Sequence, residues 1–460
     1  RQGPSPPSRA GKKMLSRELK LRELGALRPS AQRKRIAKRS YSSLCLSSYG
    51  DVASSHDAPI TCMDIDSKNQ RLLLSVDLHG KIAIHNLEKQ ELGAMEKLSP
   101  VKQAHVSHSA LRSCQWYPPD PGVFVCAGVD GRMKIWAAGS PMRIIDEFKL
   151  GFPIRQTRMS TCPSASASLI AVCGESPIVR VCDMLSGGTA HSLIGHTKSV
   201  NTVAWNPVKQ FCLVTGSSDG TIRSWDLRRP KGSLHVFDKQ KTSPDPENNP
   251  DGSRKRKRQT SPSSSSRTPR RAHAGAVTHI KFTAKGDKLL STGGDGRMRR
   301  WDVESGCNSM VHYSTANVSA ILRIDVSLYD QYIAYPEKHQ VRIFEAHSGK
   351  TMRTLQGHFD PVLCCTFRDS CQELYSAGAD HSILRWVPKS MEDEAKSVSL
   401  ERVKQQRSAA AAADRGAGGN PSSADYYHTG MRSRGEYDGY YGEPDWLDAW
   451  TSSDDDAVGA

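Results

Sequence analysis

One stretch of this chain matches an enzyme motif letter for letter: Gly216-Ser217-Ser218-Asp219-Gly220 reads G-x-S-x-G, the turn that lifts a nucleophilic serine out of an α/β-hydrolase sheet. That chemistry needs a strand before the serine and a helix after it, with backbone N–H groups placed to stabilise an oxyanion. Here Thr221-Ile222-Arg223-Ser224-Trp225 continues in the alternation of a strand, so a serine hydrolase is not expected. HExxH, Walker A and paired catalytic carboxylates are absent from the sequence. The twelve cysteines include the adjacent pair Cys364 and Cys365 but no C-x-x-C, so they read as buried thiols in a reducing compartment. No catalytic residue, metal or cofactor is expected, which turns attention to what Asp219 and its neighbours do instead.

Asp219 belongs to a repeat. LVTGSSDGTIRSWD, LLSTGGDGRMRRWD and LYSAGADHSILRWV align on Trp225, Trp301 and Trp386, with Asp219, Asp295 and Asp380 six residues earlier. Thr215, Ser291 and Ser376 lie four residues before those aspartates, and loop histidines His196, His273 and His358 precede each unit. Weaker copies end at His85, Trp136, Cys182 and Phe344, which makes seven. Successive spacings of 51, 46, 43, 76, 43 and 42 residues fit a four-stranded propeller blade of about 40–45 residues. Asp-Gly turns between alternating strands predict hairpins, and closing them radially protects their edges. The expected fold is therefore all-β, a seven-bladed WD40 β-propeller over residues 50–390. Its His, hydroxyl, Asp and Trp columns form a buried structural relay, because buried polar groups need partners. The first blade departs from the pattern at His79 and His85.

Charge is distributed unevenly outside the ring. Residues 1–40 carry thirteen Lys/Arg against two Glu, 231–271 eleven against four, and 391–460 seven against fourteen, so only +5 of the total +16 belongs to the remaining body. The pI near 9.3 is thus a property of tails and insertion, and direct nucleic-acid binding by the ring is not expected. Residues 14–40 predict two short helices, the first ended by Gly25 and Pro29, the second capped by Ser30 and carrying Ile36; a basic tail that folds only on a partner is the other reading. Residues 1–13 read as a disordered or non-native leader, since the chain opens on Arg1 and its first methionine is Met14. Residues 231–271 read as a disordered basic insertion in which Arg254, Lys255, Arg256, Lys257 and Arg258 form a nuclear-localisation candidate, with Thr260, Ser261 and Thr268 near prolines as phosphorylation candidates. Residues 391–460 read as a disordered tail whose acidic end carries Trp446 and Trp450. With mean hydropathy of −0.55 and no long apolar run or secretory signal, no membrane partner is expected.

CQWYPPDPGVF, WDLRRP, GRMRRWDVESG, LQGHFDPVLCCTF, QELYSAGAD and the terminal DAWTSSDDD are similar to segments of the Cockayne syndrome group A family, across nearly the whole chain. Plant members also carry a basic insertion near residues 231–271. The resemblance implies a non-catalytic substrate receptor of a cullin-4 RING ubiquitin ligase, acting in the nucleus in transcription-coupled nucleotide excision repair. It implies the large DDB adaptor subunit as direct partner, cullin-4 and the RING subunit through it, and repair factors or the stalled RNA polymerase II assembly as clients. An N-terminal helix-loop-helix is implied to enter the adaptor, with Leu19, Leu21, Arg22 and Leu24 as its contacts in residues 14–40. The W-D-x-R docking motif falls on Trp225, Asp226, Leu227 and Arg228. Trp225 serves the fold, leaving Asp226 and Arg228 as a surface pair, and Arg228 suits a carboxylate or a fork of carbonyls. No homo-oligomer is expected. A WD-repeat scaffold of another nuclear chromatin or RNA-processing complex is the competing expectation, and direct recognition of damaged DNA a third.

Overall fold

Alternating apolar residues bury both faces of each strand set, and the chain lays them down as seven successive antiparallel sheets around one axis. The computed structural model describes residues 29–48, 52–53, 55–88, 99–106, 109–162, 168–229, 232–241, 271–315, 323–327 and 331–416. Blades 1 to 6 span residues 60–105, 111–149, 154–193, 200–236, 277–302 and 325–356, and blade 7 spans 362–388. Within each, the first strand lies at the axis and later strands step outward. Blade 5 has three strands among the described residues, its outer place being held by an isolated bridge between Trp301 and Asn308.

The inner strands present a sheet edge to the axis, and their N–H groups need acceptors. The preceding blade supplies them. Asp64 accepts from Trp116 N at 2.8 Å, Gln115 from Met159 N at 2.8 Å, Gln156 from Val203 N at 2.9 Å and Asp325 from Phe367 N at 2.9 Å. Each bond ties one blade to the next, so the ring is fastened near its axis as well as by the apolar seams between blades.

Closure is made by a strand that lies before the expected ring boundary at residue 50. Leu44–Leu46 forms the outer strand of blade 7, pairing Leu44 with Pro388, Cys45 with Val387 and Leu46 with Trp386. The helix α1 (Pro29–Ser42) leads into it, beginning one residue before the predicted cap Ser30. Ile36, the apolar residue noted in this helix, is 43% exposed, whereas Ala37 and Tyr41 are buried. The reason is helical geometry, since residues four apart share one face. Tyr41 packs its ring 5.1 Å from Tyr332 and 5.2 Å from Phe367 and donates its hydroxyl to Asp369 at 2.9 Å.

Two further expectations are corrected. His235–Val236 pairs with Arg223 and Ser224 as the outer strand of blade 4, so part of the expected insertion belongs to the ring; the apolar Phe237 beside it is fully buried. The expected tail begins with a helix, α2 (Lys389–Gly416), whose run of alanines with Lys, Glu and Gln favours helix. Its first turns cover blade 7's outer edge: Glu392 accepts from Ser48 N at 3.1 Å, and Lys389 N donates to Ser43 O at 3.1 Å. Leu19, Leu21, Arg22 and Leu24, the run Arg254 to Arg258, and Trp446 and Trp450 lie outside the described residues.

Because Tyr41 holds α1 in the core between blades 6 and 7, Tyr41→Ala is expected to destabilise the ring by about 3–5 kcal/mol in denaturant unfolding, whereas Ile36→Ala stays within about 0.5 kcal/mol. Equal effects of the two substitutions would contradict this docking.

Candidate protein-binding faces

The repeat columns converge in space. In blade 4, His196 Nε2 lies 2.7 Å from Thr215 Oγ1, which also accepts from Trp225 Nε1 at 2.9 Å, and His196 Nδ1 lies 3.2 Å from Asp219. In blade 5, His273 is 2.7 Å from Ser291 and 2.9 Å from Asp295, with Trp301 Nε1 donating to Ser291 at 2.8 Å. In blade 7, His358 is 2.7 Å from Ser376 and 2.8 Å from Asp380, with Trp386 Nε1 donating to Ser376 at 2.8 Å. Burial alone would raise the Asp219 carboxyl, but hydrogen bonds from His196, Thr221 and Thr197 overcome it and hold the group below the usual carboxylate range. The relay thus pins a loop to a turn and to a strand, and its groups are committed to one another.

Blade 1 holds a relay that pattern reading missed. His56 Nδ1 lies 2.9 Å from Asp77 and its Nε2 2.8 Å from Ser75. The aspartate has moved to the end of its strand, two residues before the column position held by His79. One signal was available: His56 precedes Ser75 by 19 residues, the same interval as His196 to Thr215. His85 occupies the Trp column, fully buried, and its Nε2 lies 3.1 Å from Ala53 O. Burial depresses His85 to about 4. Blade 2 lacks the relay hydroxyl, since Cys126 stands in its column, and Trp136 Nε1 has no partner among the described residues.

The G-x-S-x-G match sits in this scaffold. Ser218 Oγ is 2.9 Å from Ser199 Oγ and donates to Asn201 Oδ1 at 3.1 Å, and the strand Ile222–Asp226 follows. No helix follows the serine, and Asp219 is engaged by His196.

The strand directions define two faces. Each relay joins the loop before an inner strand to the turn before a third strand, so both strands start on that face, here termed the relay face. The third strand of blade 4 ends on the opposite face with Trp225-Asp226-Leu227-Arg228. There the expected surface pair is corrected: Asp226 is only 7% exposed, because it accepts from Arg228 N at 3.0 Å, Nε at 3.0 Å and Nη2 at 2.7 Å. The Arg228 side chain is 67% exposed, and its guanidinium holds the Asp226 carboxyl below the usual range. Asp226 therefore orients Arg228 and leaves Nη1 outward. On the same face lies α1, which precedes a strand antiparallel to the third strand of blade 7 and packs on Tyr332 and Phe367 where their strands meet that face. The exposed side of α1 carries Arg35, Ile36, Lys38 and Arg39. Arg228 and α1, read from separate segments of sequence, share one face of the ring.

The family model for the WD domain, G-beta repeat matches residues 99–137, 187–226, 264–302 and 349–386. The chain is 31% identical over 427 residues to the WD repeat-containing protein ATCSA-1 of Arabidopsis thaliana, covering 80% of this chain and 94% of that protein. WD repeat-containing protein 37 of Xenopus laevis is 26% identical over 49% of this chain and 44% of its own length, and Radiation-sensitive protein 28 of Saccharomyces cerevisiae 26% over 47% and 43%.

His85 gives a pH dependence with a definite sign. Its folded-state pKa is about 4 against an ordinary 6.5, so neutral His85 contributes fully above pH 6.5 and its contribution is lost as pH falls toward 4. The shift corresponds to at most about 3 kcal/mol over that window. His85→Phe is expected to lose less stability between pH 7 and pH 4 than the natural protein in denaturant titrations at each pH; an unchanged difference would remove His85 as the cause.

Proposed function

This chain belongs to the ATCSA-1 family of WD-repeat proteins, the plant type of the Cockayne syndrome group A family, and from that premise we propose that it is the substrate-recognition subunit of a cullin-4 RING ubiquitin ligase in transcription-coupled nucleotide excision repair. The observation that carries this reading is the shared face of Arg228 and α1, the two described elements that the family resemblance links to the adaptor. An adaptor seated there leaves the relay face open to a client. The chain then works by proximity: binding adaptor and client at once turns ubiquitin transfer from a chance encounter into a reaction at high effective concentration, with no catalytic group of its own. The yeast relative's name, which describes radiation sensitivity, is in keeping with a repair role. Entry to the nucleus through Arg254 to Arg258 is part of the same proposal.

The geometry changes how the adaptor contact should be probed. A deletion through residue 40 would remove Ala37 from the core and confuse unfolding with lost binding. Deletion of residues 1–28 spares the docked part of α1. Arg228 is exposed, so Arg228→Ala should change stability by no more than about 0.5 kcal/mol. Trp225→Ala, at a fully packed site, should cost about 3–5 kcal/mol and report only on folding.

Affinity purification of the full tagged chain from nuclear extract, followed by mass spectrometry, is expected to recover the large DDB subunit and cullin-4. Both Arg228→Ala and deletion of 1–28 are expected to reduce that recovery tenfold or more, about 1.4 kcal/mol or greater. Recovery of a chromatin or RNA-processing complex without adaptor and cullin would overturn the proposal.

A further inference from the structure

The inner strands share an irregularity that repeat columns do not reveal. In blades 1, 2, 3, 4, 5 and 7 their pairing with the second strand skips one residue: Thr61, Arg112, Arg155, Asn201, Thr278 and Leu363. Such a bulge frees a residue from the ladder and re-aims its side chain. Each lies at the start of its inner strand, hence at the relay-face mouth of the axial channel. Several reach the next blade there. Thr61 donates to Leu111 O at 2.6 Å, Arg155 Nη1 donates to Asn201 Oδ1, and Asn201 Nδ2 donates to Val277 O at 2.8 Å.

Arginine is concentrated at this ring. Arg112 and Arg155 come from adjacent blades. Arg323, just before the inner strand of blade 6, crosses the channel to donate through Nη2 to Arg112 O and, at 3.4 Å, to Arg155 O. Glu175, half exposed, pairs with Arg155 at 3.7 Å. Burial and the neighbouring Arg155 charge press the Arg112 guanidinium below its ordinary pKa, partly offset by Glu175.

Buried donors remain unused. Arg323 is 9% exposed, and its Nη1 has no partner among the described residues; Arg155 Nε has none either. Behind Thr278, His279 is 3% exposed with Nδ1 likewise unpartnered. Buried polar groups without partners are rare, and like charges brought together out of water are costly unless an anion joins them. Guanidinium groups converging from three blades provide the donors that an oxyanion takes. Three guanidinium groups meeting at one point suit one such group, in contrast to the run of cations that a duplex needs. Phe359, 89% exposed, and Ile194, 69% exposed, lie on relay-face loops and offer apolar contacts to a polypeptide carrying that group.

We propose that the channel mouth on the relay face is a receptor for one acidic side chain of a protein partner, a carboxylate or a phosphate on an extended segment, held by Arg112, Arg155 and Arg323. This goes beyond the adaptor reading and does not depend on it, since the Arg228 face is the opposite one and the test uses the full chain without adaptor.

Fluorescence anisotropy of the full chain would be followed with three labelled peptides of equal length: one with a hexa-aspartate centre, one with a single central phosphoserine and one with hexa-asparagine. At least one acidic peptide is expected to bind, at least tenfold tighter than the asparagine peptide, and preference between the two acids assigns carboxylate or phosphate. Arg112→Gln with Arg155→Gln is expected to weaken that binding tenfold or more while Arg35→Gln with Lys38→Gln leaves it unchanged. Should the first pair impair folding, displacement from the natural protein by inorganic pyrophosphate, but not by sodium chloride at equal ionic strength, gives the same answer. Equal binding of all three peptides, binding of pyrophosphate alone, or full binding by a folded Arg112→Gln, Arg155→Gln protein would overturn the proposal.

Discussion

The pairing of Leu44–Leu46 with Ile383–Pro388 is the constraint on which the rest of this molecule depends. A ring of sheets has no terminus in space, yet the chain has two, and one blade must be completed by both. Blade 7 is that blade. Its outer strand comes from the N-terminal side and its inner three from the C-terminal side, so separating first blade from last requires breaking a ladder as well as an apolar seam. The two helices flank this joint. Tyr41 of α1 enters the core between blades 6 and 7, and the first turns of α2 cover the outer edge that would otherwise offer unpaired backbone groups.

The joint also couples fold to proposed function. Because α1 runs directly into the closing strand, whatever engages its exposed basic side is fastened to the joint that closes the ring. Arg228 stands on the same face, held by a nearly buried carboxylate so that its guanidinium is oriented before any partner arrives. Preorganisation of this kind lowers the entropy cost of binding. The opposite face is built differently: its His–Asp–hydroxyl relays keep loops rigid around a channel mouth in which arginines from three blades converge. One face thus presents a helix and a single arginine, proposed to meet a large subunit, and the other a cluster of arginines, proposed to accept a small acidic group.

Much of the ring was legible because its signals are local. A Trp, an Asp six residues earlier, a hydroxyl ten earlier and a preceding loop His can be read off one segment at a time, and three blades show all four. Blade 1 was obscured because its aspartate shifts to Asp77 and its Trp is replaced by His85, which breaks two columns although the hydrogen-bonded pair survives. The closing strand was invisible for another reason: three residues, Leu-Cys-Leu, have no period to detect, and their partner lies more than 330 residues away in sequence. His235–Val236 and α2 were hidden by polar, low-complexity surroundings. The channel cluster was not legible at all, since Arg112, Arg155 and Arg323 meet only when six bulges and a crossing side chain are placed around an axis.

Hydrogen–deuterium exchange of the full chain, alone and with the large DDB adaptor subunit, tests the two-faced account most directly. The account predicts slowed exchange on binding in α1, the closing strand and the Trp225–Arg229 corner, with the relay-face loops around His196, His273 and His358 unchanged. Protection confined to those relay-face loops, with α1 and the Arg228 corner unaffected, would contradict it.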